Sequence, residues 1–561
     1  MSTFDNKSVV LTRKDYVQHY GPSTGDRIRL ADSNLLIEVE KDYAVYGEEV
    51  TVGYAGTPSD SSENSPDLVL ANAVILDAVS GVVKADIGIK NGYIIGIGKA
   101  GNPHFQSGVN PQLVIGSDTQ VIQAAGMIVT AGAVDCYAPS LNPDSAAAAL
   151  CSGVTTLAGS GLGTVAGGMA STSNLGAGQL AHGLRLLDGL PLNFMLIGKT
   201  TEEKGNRSET LLQDGAAGLM LHEQWKSTPA SIDTALEVAD KHDVPCWLQS
   251  DSLSRYGYID KTLAVIKNRA TLLVRGSGHG GGHVDNLRAA TFAKMFPVSI
   301  ASSLAYSTDS LVEQADSVRL ANGLQGEKFD SLLEQLTAKN IVAAEQYMHD
   351  IGALPIIASG NGSPGRIGEL ARRSWQLAHV MKQQRGPLPE EVGENDNVRV
   401  KRYLAKSTIN PARALGIAGQ VGSIEVGKRA DLVLWDPAFF GVRPSTVLVG
   451  GHIAASHQGD VAAAVANGQP MLCSPAARGR ALTFLSQAAV EAGYVARLGL
   501  VNQLVSVSDT RKITRKNMVL NVAVPEKVEV DPGTLAVTVD GVLADSKPQT
   551  ALPMSRLYNL F

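Results

Sequence analysis

The chain has 561 residues, 44% of them hydrophobic and 18% charged, which is typical of a globular protein of several domains with a large buried core. Its 48 Lys and Arg residues and 54 Asp and Glu residues give a net charge of −6, which argues against a protein built to coat nucleic acid. We expect neither a secretory signal nor a membrane-spanning helix, since the N-terminus has no apolar core segment and the sequence has no run of about 18 apolar residues. The four cysteines form no CxxC motif and favour a cytoplasmic protein with reduced thiols.

The first 126 residues predict a β-rich region. Short runs of Val, Ile and Leu occur at Leu68–Asp77, Val82–Ile89 and Tyr93–Ile97. Asn91-Gly92 lies between the last two runs and is the signal of a type I′ hairpin turn. We therefore expect an antiparallel hairpin here.

Residues 127–419 alternate short apolar runs with amphipathic helical patterns, such as Pro229–His242 with Thr228 as its N-cap. Eight βα units of this kind predict a closed parallel (β/α)8 barrel with its helices outside. The eight predicted strands are Met127–Asp135, Val154–Ala158, Leu192–Ile197, Gly218–His222, Val244–Gln249, Thr271–Arg275, Val298–Ser302 and Leu354–Ser359.

The C-terminal part predicts two further regions. Residues 420–480 return to a β pattern and could complete the sheet that begins before the barrel, giving an α/β fold with a β-rich domain built from both flanks. Residues 481–561 predict a mixed tail that begins with a helix at Leu482–Gly493. Within the end of the barrel region, Asn410-Pro411 predicts the cap and first residue of a helix that ends at Gly416.

Catalytic groups of such a barrel lie at the C-terminal ends of its strands. Cys136 and His222 could form a nucleophile–base pair there, although a free cysteine at a strand end is more often a small buried residue. His279 and His283 flank three glycines and could bind a metal, or hydrogen-bond to backbone within a loop. The sequence contains no His-x-His motif. The candidate pocket residues are His222, Cys136, Tyr137, Gln249, Arg275, His279 and His283.

Long segments distributed over the chain match the pattern of one known family: Tyr20–Asp32, Val83–Gly88, Gly98–Pro103, Ser152–Thr156, Asn395–Tyr403, Thr408–Pro411, Gly422–Asp431, Pro437–Val442, Leu482–Ser486, Leu552–Met554 and Leu560-Phe561. In these segments the chain resembles the urease α (large) subunit. The resemblance implies an amidohydrolase-type barrel with a β domain, separate β and γ subunits, and a homo-oligomer that is trimer-based.

The resemblance fails at the nickel ligands of the family. Tyr137 and Pro139 stand at the positions of its His-x-His motif, and Met220 stands at the position of its carbamylated lysine. Two further histidine ligands are replaced by Gln249 and Arg275, and the aspartate ligand is replaced by Gly360. The Cys-His-His of the flap corresponds to 321–323, which reads Ala-Asn-Gly. His222, similar to a contact of the substrate carbonyl, and the glycine loop before His283 remain. Proline and glycine offer no donor atom, glutamine is a weak ligand, and arginine repels a cation.

Three interpretations follow. The first is a pseudoenzyme without nickel, with a structural or regulatory role in a urease-like oligomer and no nucleic-acid or membrane partner. The second is a metal-independent enzyme or small-ligand protein, in which Arg275 holds an anion or amide in the rebuilt pocket. The third is an active urease that hydrolyses urea to ammonia and carbamate.

Overall fold

The computed structural model describes residues 12–44, 63–138, 141–159, 177–223, 227–249, 259–275, 284–301, 307–308, 339–360, 367–456, 472–473 and 477–555. None of the helices in these ranges combines the length and the apolar character needed to cross a bilayer.

The N-terminal region is mainly strand, as predicted. Helix α1 (Arg13–Tyr20) precedes the antiparallel pair β1 (Arg27–Arg29) and β2 (Leu36–Glu38). A larger sheet contains β3 (Lys41–Asp42), β4 (Leu68–Asp77), β5 (Gly81–Lys90), β6 (Tyr93–Gly98), β7 (Gln120–Gln123) and β8 (Ile128–Ala131). Between β5 and β6, Asn91 and Gly92 have φ values of 52° and 81°. A type I′ turn requires two positive φ values in succession, so the hairpin prediction is confirmed.

Eight parallel strands follow in the order of the chain and form the barrel. They are β9 (Ala133–Asp135), β10 (Val154–Gly159), β11 (Asn193–Lys199), β12 (Gly218–His222), β13 (Cys246–Gln249), β14 (Thr271–Val274), β15 (Met295–Ile300) and β16 (Ile356–Ala358). The helices among and after them are α2 (Pro143–Leu150), α3 (Ala177–Leu187), α4 (Asn206–Gln213), α5 (Pro229–His242), α6 (Ile259–Ile266), α7 (Lys339–Asp350) and α8 (Glu369–Arg385). Thr228 caps α5 by accepting from the Ser231 N–H, as predicted. The barrel prediction is confirmed.

Two short helices follow, α9 (Asn397–Ala405) and α10 (Ile409–Ala414). The predicted cap at Asn410 is wrong, because Asn410 already lies in the first turn of α10. Its side-chain amide instead donates to the Pro355 carbonyl at 3.1 Å and accepts from the Val519 N–H at 2.7 Å. This asparagine therefore fastens α10 to two neighbouring segments.

Strands from beyond the barrel complete the first large sheet. These are β17 (Leu432–Trp435), β18 (Thr446–Val449), β19 (His452–Ser456) and β20 (Leu472–Cys473), in the order β20-β19-β18-β17-β8-β4-β5-β3. The β-rich part is thus built from both flanks, as predicted. The boundaries proposed for the domains stay predictions.

One predicted strand, Met127–Asp135, is wrong because the structure divides it between two sheets. Its first half, β8, pairs with β4 and β17, whereas its second half, β9, is the first strand of the barrel. Gly132 separates them, and its N–H donates to the Asp431 carbonyl at 2.8 Å. A Cβ at this position would lie 2.1 Å from Thr155 Oγ1, so the close approach of the barrel strand needs glycine.

The predicted helix Leu482–Gly493 is also wrong in its first half. Residues 482–485 form β21 (Leu482–Leu485), which runs parallel to β11, and the Leu482 N–H donates to Asn193 Oδ1 at 2.7 Å. Ser486 then caps α11 (Gln487–Ala492). The tail adds β22 (Gln503–Ser506), β23 (Val528–Val530), β24 (Val537–Val539) and β25 (Val542–Leu543).

Candidate site at the barrel mouth

The register of the strands shows which side chains share one face of the barrel wall. Lys199 on β11 is the partner of Met220 on β12, Met220 is the partner of Trp247 on β13, and His222 is the partner of Gln249. Partners on neighbouring strands, and residues two apart on one strand, point to the same side of a sheet. These five side chains therefore lie on a common face.

That face is the interior. The first and fifth strands of an eight-stranded barrel stand on opposite sides of it. The Trp247 indole N–H on β13 donates to the Cys136 carbonyl, directly after β9, at 3.0 Å. The indole thus reaches across the barrel, and Trp247 and Met220 are both fully buried.

A second hydrogen bond crosses the barrel beside the first. The Tyr137 hydroxyl donates to Gln249 Oε1 at 2.8 Å, and both residues are buried. The structure thus brings together two of the candidate pocket residues and bonds them to each other. This bond connects opposite sides of the mouth above Trp247 and Met220.

Asp135 fastens the first strand to the last. Its carboxylate accepts from the N–H groups of Ser359 and Tyr137, each at 3.1 Å, and from the Ser359 hydroxyl. The Gly360 N–H donates to the Tyr137 carbonyl at 3.1 Å. Burial raises the pKa of Asp135, while these hydrogen bonds oppose the rise. The carboxylate therefore links the end of β9 to the residue that follows β16, which is a structural role.

Cys136 is fully buried. Burial, and then the neighbouring Asp135, raise the pKa of its thiol well above the ordinary value. A thiol that ionises less readily is a poor nucleophile. No hydrogen bond joins it to His222 in the part of the chain described, so the geometry does not support a nucleophile–base pair.

Gly360 occupies a position where a larger residue does not fit. Its φ is 78°, and a Cβ would lie 2.4 Å from Cγ2 of the buried Ile300. Real Cβ atoms essentially never approach so closely, so Ile300 would have to move. The surroundings of Gly360 leave no room for the aspartate that the resemblance assigns there.

Arg275 does not line the interior, contrary to the sequence-based expectation. Gln249 is the partner of Val274, so Val274 faces inward and the next residue faces outward. The Arg275 Nη1 atom lies 2.7 Å from Glu345 Oε1 on α7, and both side chains are fully buried. Burial lowers the pKa of Arg275, and Glu345 opposes that effect. The guanidinium forms an ion pair with Glu345 within the protein and does not face the barrel interior.

Lys199 and His222 are the functional candidates that remain on the inner face. Both ring nitrogens of His222 are buried, and neither has a hydrogen-bond partner among the residues described. Burial, and then the charge of Lys199, lower the pKa of His222 to about 3. Burial also lowers the pKa of Lys199. The sequence interpretation missed Lys199 because it ended this strand at Ile197, two residues early.

The donor atoms at this mouth do not fit a dinuclear nickel centre. Met220 offers a buried thioether, the Gln249 oxygen already accepts from Tyr137, and Gly360 has no side chain. The described residues bring no three His, Cys, Asp or Glu side chains together as a metal site. Pro139, His279, His283 and 321–323 lie outside those residues.

Residues 104–459 match the profile of the amidohydrolase family, so the chain belongs to that family. Residues 9–122 separately match the family described as the urease alpha-subunit, N-terminal domain. The family assignment agrees with the barrel and the flanking sheet.

Solved structures of similar fold include the L-hydantoinase (dihydropyrimidinase) from Arthrobacter aurescens, at 14% identity and a TM-score of 0.49 over 75% of this chain and 100% of that one. A D-hydantoinase is 14% identical, with a TM-score of 0.47 over 79% of this chain and 100% of that one. The D-hydantoinase (dihydropyrimidinase) from Thermus sp. is 15% identical, with a TM-score of 0.46 over 72% of this chain and 97% of that one. We draw nothing about the reaction of this chain from similarities of this size.

Proposed function

We propose that this chain is a urease-like pseudoenzyme of the amidohydrolase family. In this proposal it has no dinuclear nickel centre and serves as a structural or regulatory subunit in the cytoplasm. Its partners would be further copies of itself in a trimer-based oligomer, together with urease-like β and γ subunits. The match of the N-terminal residues to a urease domain supports the assembly part.

The hydrogen bond between Tyr137 and Gln249 is the observation that carries the catalytic part. Hydrolysis by a metal hydroxide needs ligands that hold the metal and leave one position open to water. Here two positions that the resemblance assigns to ligands are bonded to each other across the mouth. Met220 and Trp247, on the same inner face, are both buried and offer a thioether and an indole ring in place of metal ligands.

The catalytic part is tested by metal content and activity together. The chain is produced with nickel, urease maturation proteins and candidate β and γ subunits, and an intact urease α subunit is treated identically as the control. Nickel is counted by mass spectrometry and urea hydrolysis is followed by ammonia release. We expect nickel and activity in the control alone. Stoichiometric nickel with activity in this chain would establish the third interpretation, an active urease.

The assembly part is tested by analytical ultracentrifugation of the chain alone and with the β and γ subunits. We expect a homo-oligomer and co-sedimentation with the small subunits. A lone monomer in every mixture would refute this part without changing the result on nickel.

A further inference from the structure

A cleft on the outer surface of the barrel combines apolar and charged side chains. It lies between α6, the 3-10 helix Val284–Thr291 and the segment that leads into β23, and its volume is about 430 Å³. α6 packs against the 3-10 helix, which in turn packs against β23. The residues that line this cleft are distinct from those of the barrel mouth.

The floor of the cleft is apolar and consists of Leu263, Phe292 and Val528. Val528 is buried, whereas Leu263 and Phe292 are partly buried and pack against the main hydrophobic core. Covering apolar surface that water still reaches is favourable. The floor therefore offers binding energy to a ligand with apolar side chains.

The rim of the cleft carries two acidic and two basic residues, Asp260, Glu526, Arg288 and Lys527. The Arg288 guanidinium donates to both carboxylate oxygens of Asp260, at 2.7 and 3.2 Å. The Lys527 Nζ atom lies 2.6 Å from Glu529 Oε1. The Asp260 and Lys527 side chains are 67% and 68% exposed. Ion pairs that water reaches contribute little stability, so a charged ligand can replace either one at little cost.

We propose that this cleft binds a short zwitterionic peptide with apolar side chains, of about dipeptide size. Arg288 presents a planar fork of N–H donors that matches the two oxygens of a carboxylate. Asp260 and Glu526 accept hydrogen bonds from the ammonium group, and the side chains of the peptide cover the floor. Ligand pockets have volumes of about 300–1,000 Å³, so this one suits a small molecule and not a folded partner.

The balance of charge on the rim is what selects a zwitterion. A simple anion that reaches Arg288 also meets the carboxylates of Asp260 and Glu526, and a simple cation meets Arg288 and Lys527. Like charges disfavour both. A molecule with one charge of each sign instead exchanges the single contact between Arg288 and Asp260 for two contacts of its own.

Four peptides test the proposal on the unmodified protein. Leucyl-leucine is titrated at pH 7 by isothermal titration calorimetry, and its N-acetyl form, its C-terminal amide and alanyl-alanine are the controls. Removing either charge should weaken binding by about tenfold to a hundredfold. Alanyl-alanine should bind at least about tenfold more weakly, because it covers less of the floor. Equal affinity for all four peptides, or no saturable binding of leucyl-leucine below about 10 mM, would overturn the proposal.

Two variants assign each charge of the peptide to its partner. Arg288→Gln should bind leucyl-leucine and its amide with nearly equal affinity, and Asp260→Asn should do the same for leucyl-leucine and its N-acetyl form. Arg27→Gln is the matched control, since Arg27 is 42% exposed and pairs with Glu38 away from the cleft. Its preference among the peptides should be unchanged. Folded variants of Arg288 and Asp260 that keep the full preference would refute the site.

The position of the peptide is measured separately, so that the test does not depend on the folding of a variant. Leucyl-leucine with a diazirine analogue of leucine at its second residue is bound to the unmodified protein, irradiated and mapped by mass spectrometry. We expect the label on Leu263, Phe292 or Val528, and competition by unlabelled leucyl-leucine. A label that appears only elsewhere in the chain would refute the cleft as the site.

This inference is independent of the pseudoenzyme proposal. A nickel-free protein that binds no peptide would refute the peptide site alone. Nickel with urease activity would refute the pseudoenzyme proposal alone, because the peptide titration is made on protein from which metal has been removed by chelation.

Discussion

The Tyr137 hydroxyl and the Gln249 side-chain oxygen lie 2.8 Å apart, although their residues belong to opposite sides of the barrel. In a metal-dependent member of such a fold, groups at this level point at a shared ion. Here the hydroxyl of Tyr137 donates to the side-chain oxygen of Gln249. The bond also brings the first and fifth strands together, so the mouth contributes to stability where a catalytic site would cost stability.

The bond itself makes a measurable prediction. Tyr137→Phe removes the donor and leaves the buried Gln249 oxygen without it, so the free energy of unfolding should fall by about 1–3 kcal/mol. A double variant that combines Tyr137→Phe with Gln249→Leu should lose less stability than the sum of the two single changes, because neither partner is then left buried and unsatisfied. Urea denaturation of the four proteins measures the coupling, and a coupling of zero would mean that the bond does not form.

The pair of Arg275 and Glu345 should be structural. Arg275→Met leaves the Glu345 carboxylate buried without its charge partner, and the expected loss is about 3–5 kcal/mol. Glu345→Met should cost a similar amount, whereas the double variant should recover much of the loss because no uncompensated charge remains. Thermal and denaturant unfolding give the four values. A fully stable Arg275→Met protein that no longer binds an anion would restore the pocket interpretation of Arg275.

Gly360→Ala should destabilise the protein by about 1–3 kcal/mol, because the new Cβ meets Ile300 at 2.4 Å and φ is 78°. Gly493→Ala is the control for a positive φ, since its φ is 65° in the left-handed helical region and nothing lies within 4 Å of the added atom. The control carries the backbone strain without the clash. Equal melting temperatures for the two variants would show that Ile300 moves aside at no cost.

His222 should make stability depend on acidity. Its pKa is about 3 in the folded chain and about 6.5 when unfolded, so neither state binds the proton above pH 7. As the pH falls from 6.5 towards 3, the unfolded chain takes up a proton that the folded chain refuses, and stability falls by up to about 1.4 kcal/mol per pH unit.

His222→Gln should lack this loss, so the stability difference between the two proteins should shift in favour of the variant between pH 7.5 and pH 5. Asp86, whose pKa burial raises to about 6, acts with the opposite sign in this window. It is present in both proteins and cancels in the difference. A difference that does not change with pH would mean that His222 titrates normally.

The repeating pattern of strands and helices made the barrel predictable, since apolar strand runs separated by capped helices have few other solutions. Local signals placed the hairpin at Asn91-Gly92 and the cap at Thr228. The errors at Met127–Asp135 and Leu482–Leu485 have one cause. An apolar run does not show which sheet it joins, as at Met127–Asp135, nor whether it forms a helix or a strand, as at Leu482–Leu485, because both depend on partners distant in the chain.

The sequence showed which residues lie at the C-terminal ends of the strands, but only partly whether their side chains point into or out of the barrel. Residue types showed that Met220 and Gly360 offer no ordinary ligand for nickel. They did not show that Arg275 points outward, since one position of register reverses the side of a strand. Lys199 escaped notice because the end of a strand is the part that propensity locates least well.

The division of Met127–Asp135 between two sheets has a consequence for how the chain can be cut. Only Gly132 separates β8 from β9, so no linker joins the β-rich part to the barrel. A fragment that begins at Ala133 would lack β8 and leave the edge of β17 unpaired, and a fragment that begins at Ile128 would carry β8 without its partner β4. The two parts should therefore be inherited, exchanged and expressed as a single unit, and never as interchangeable modules.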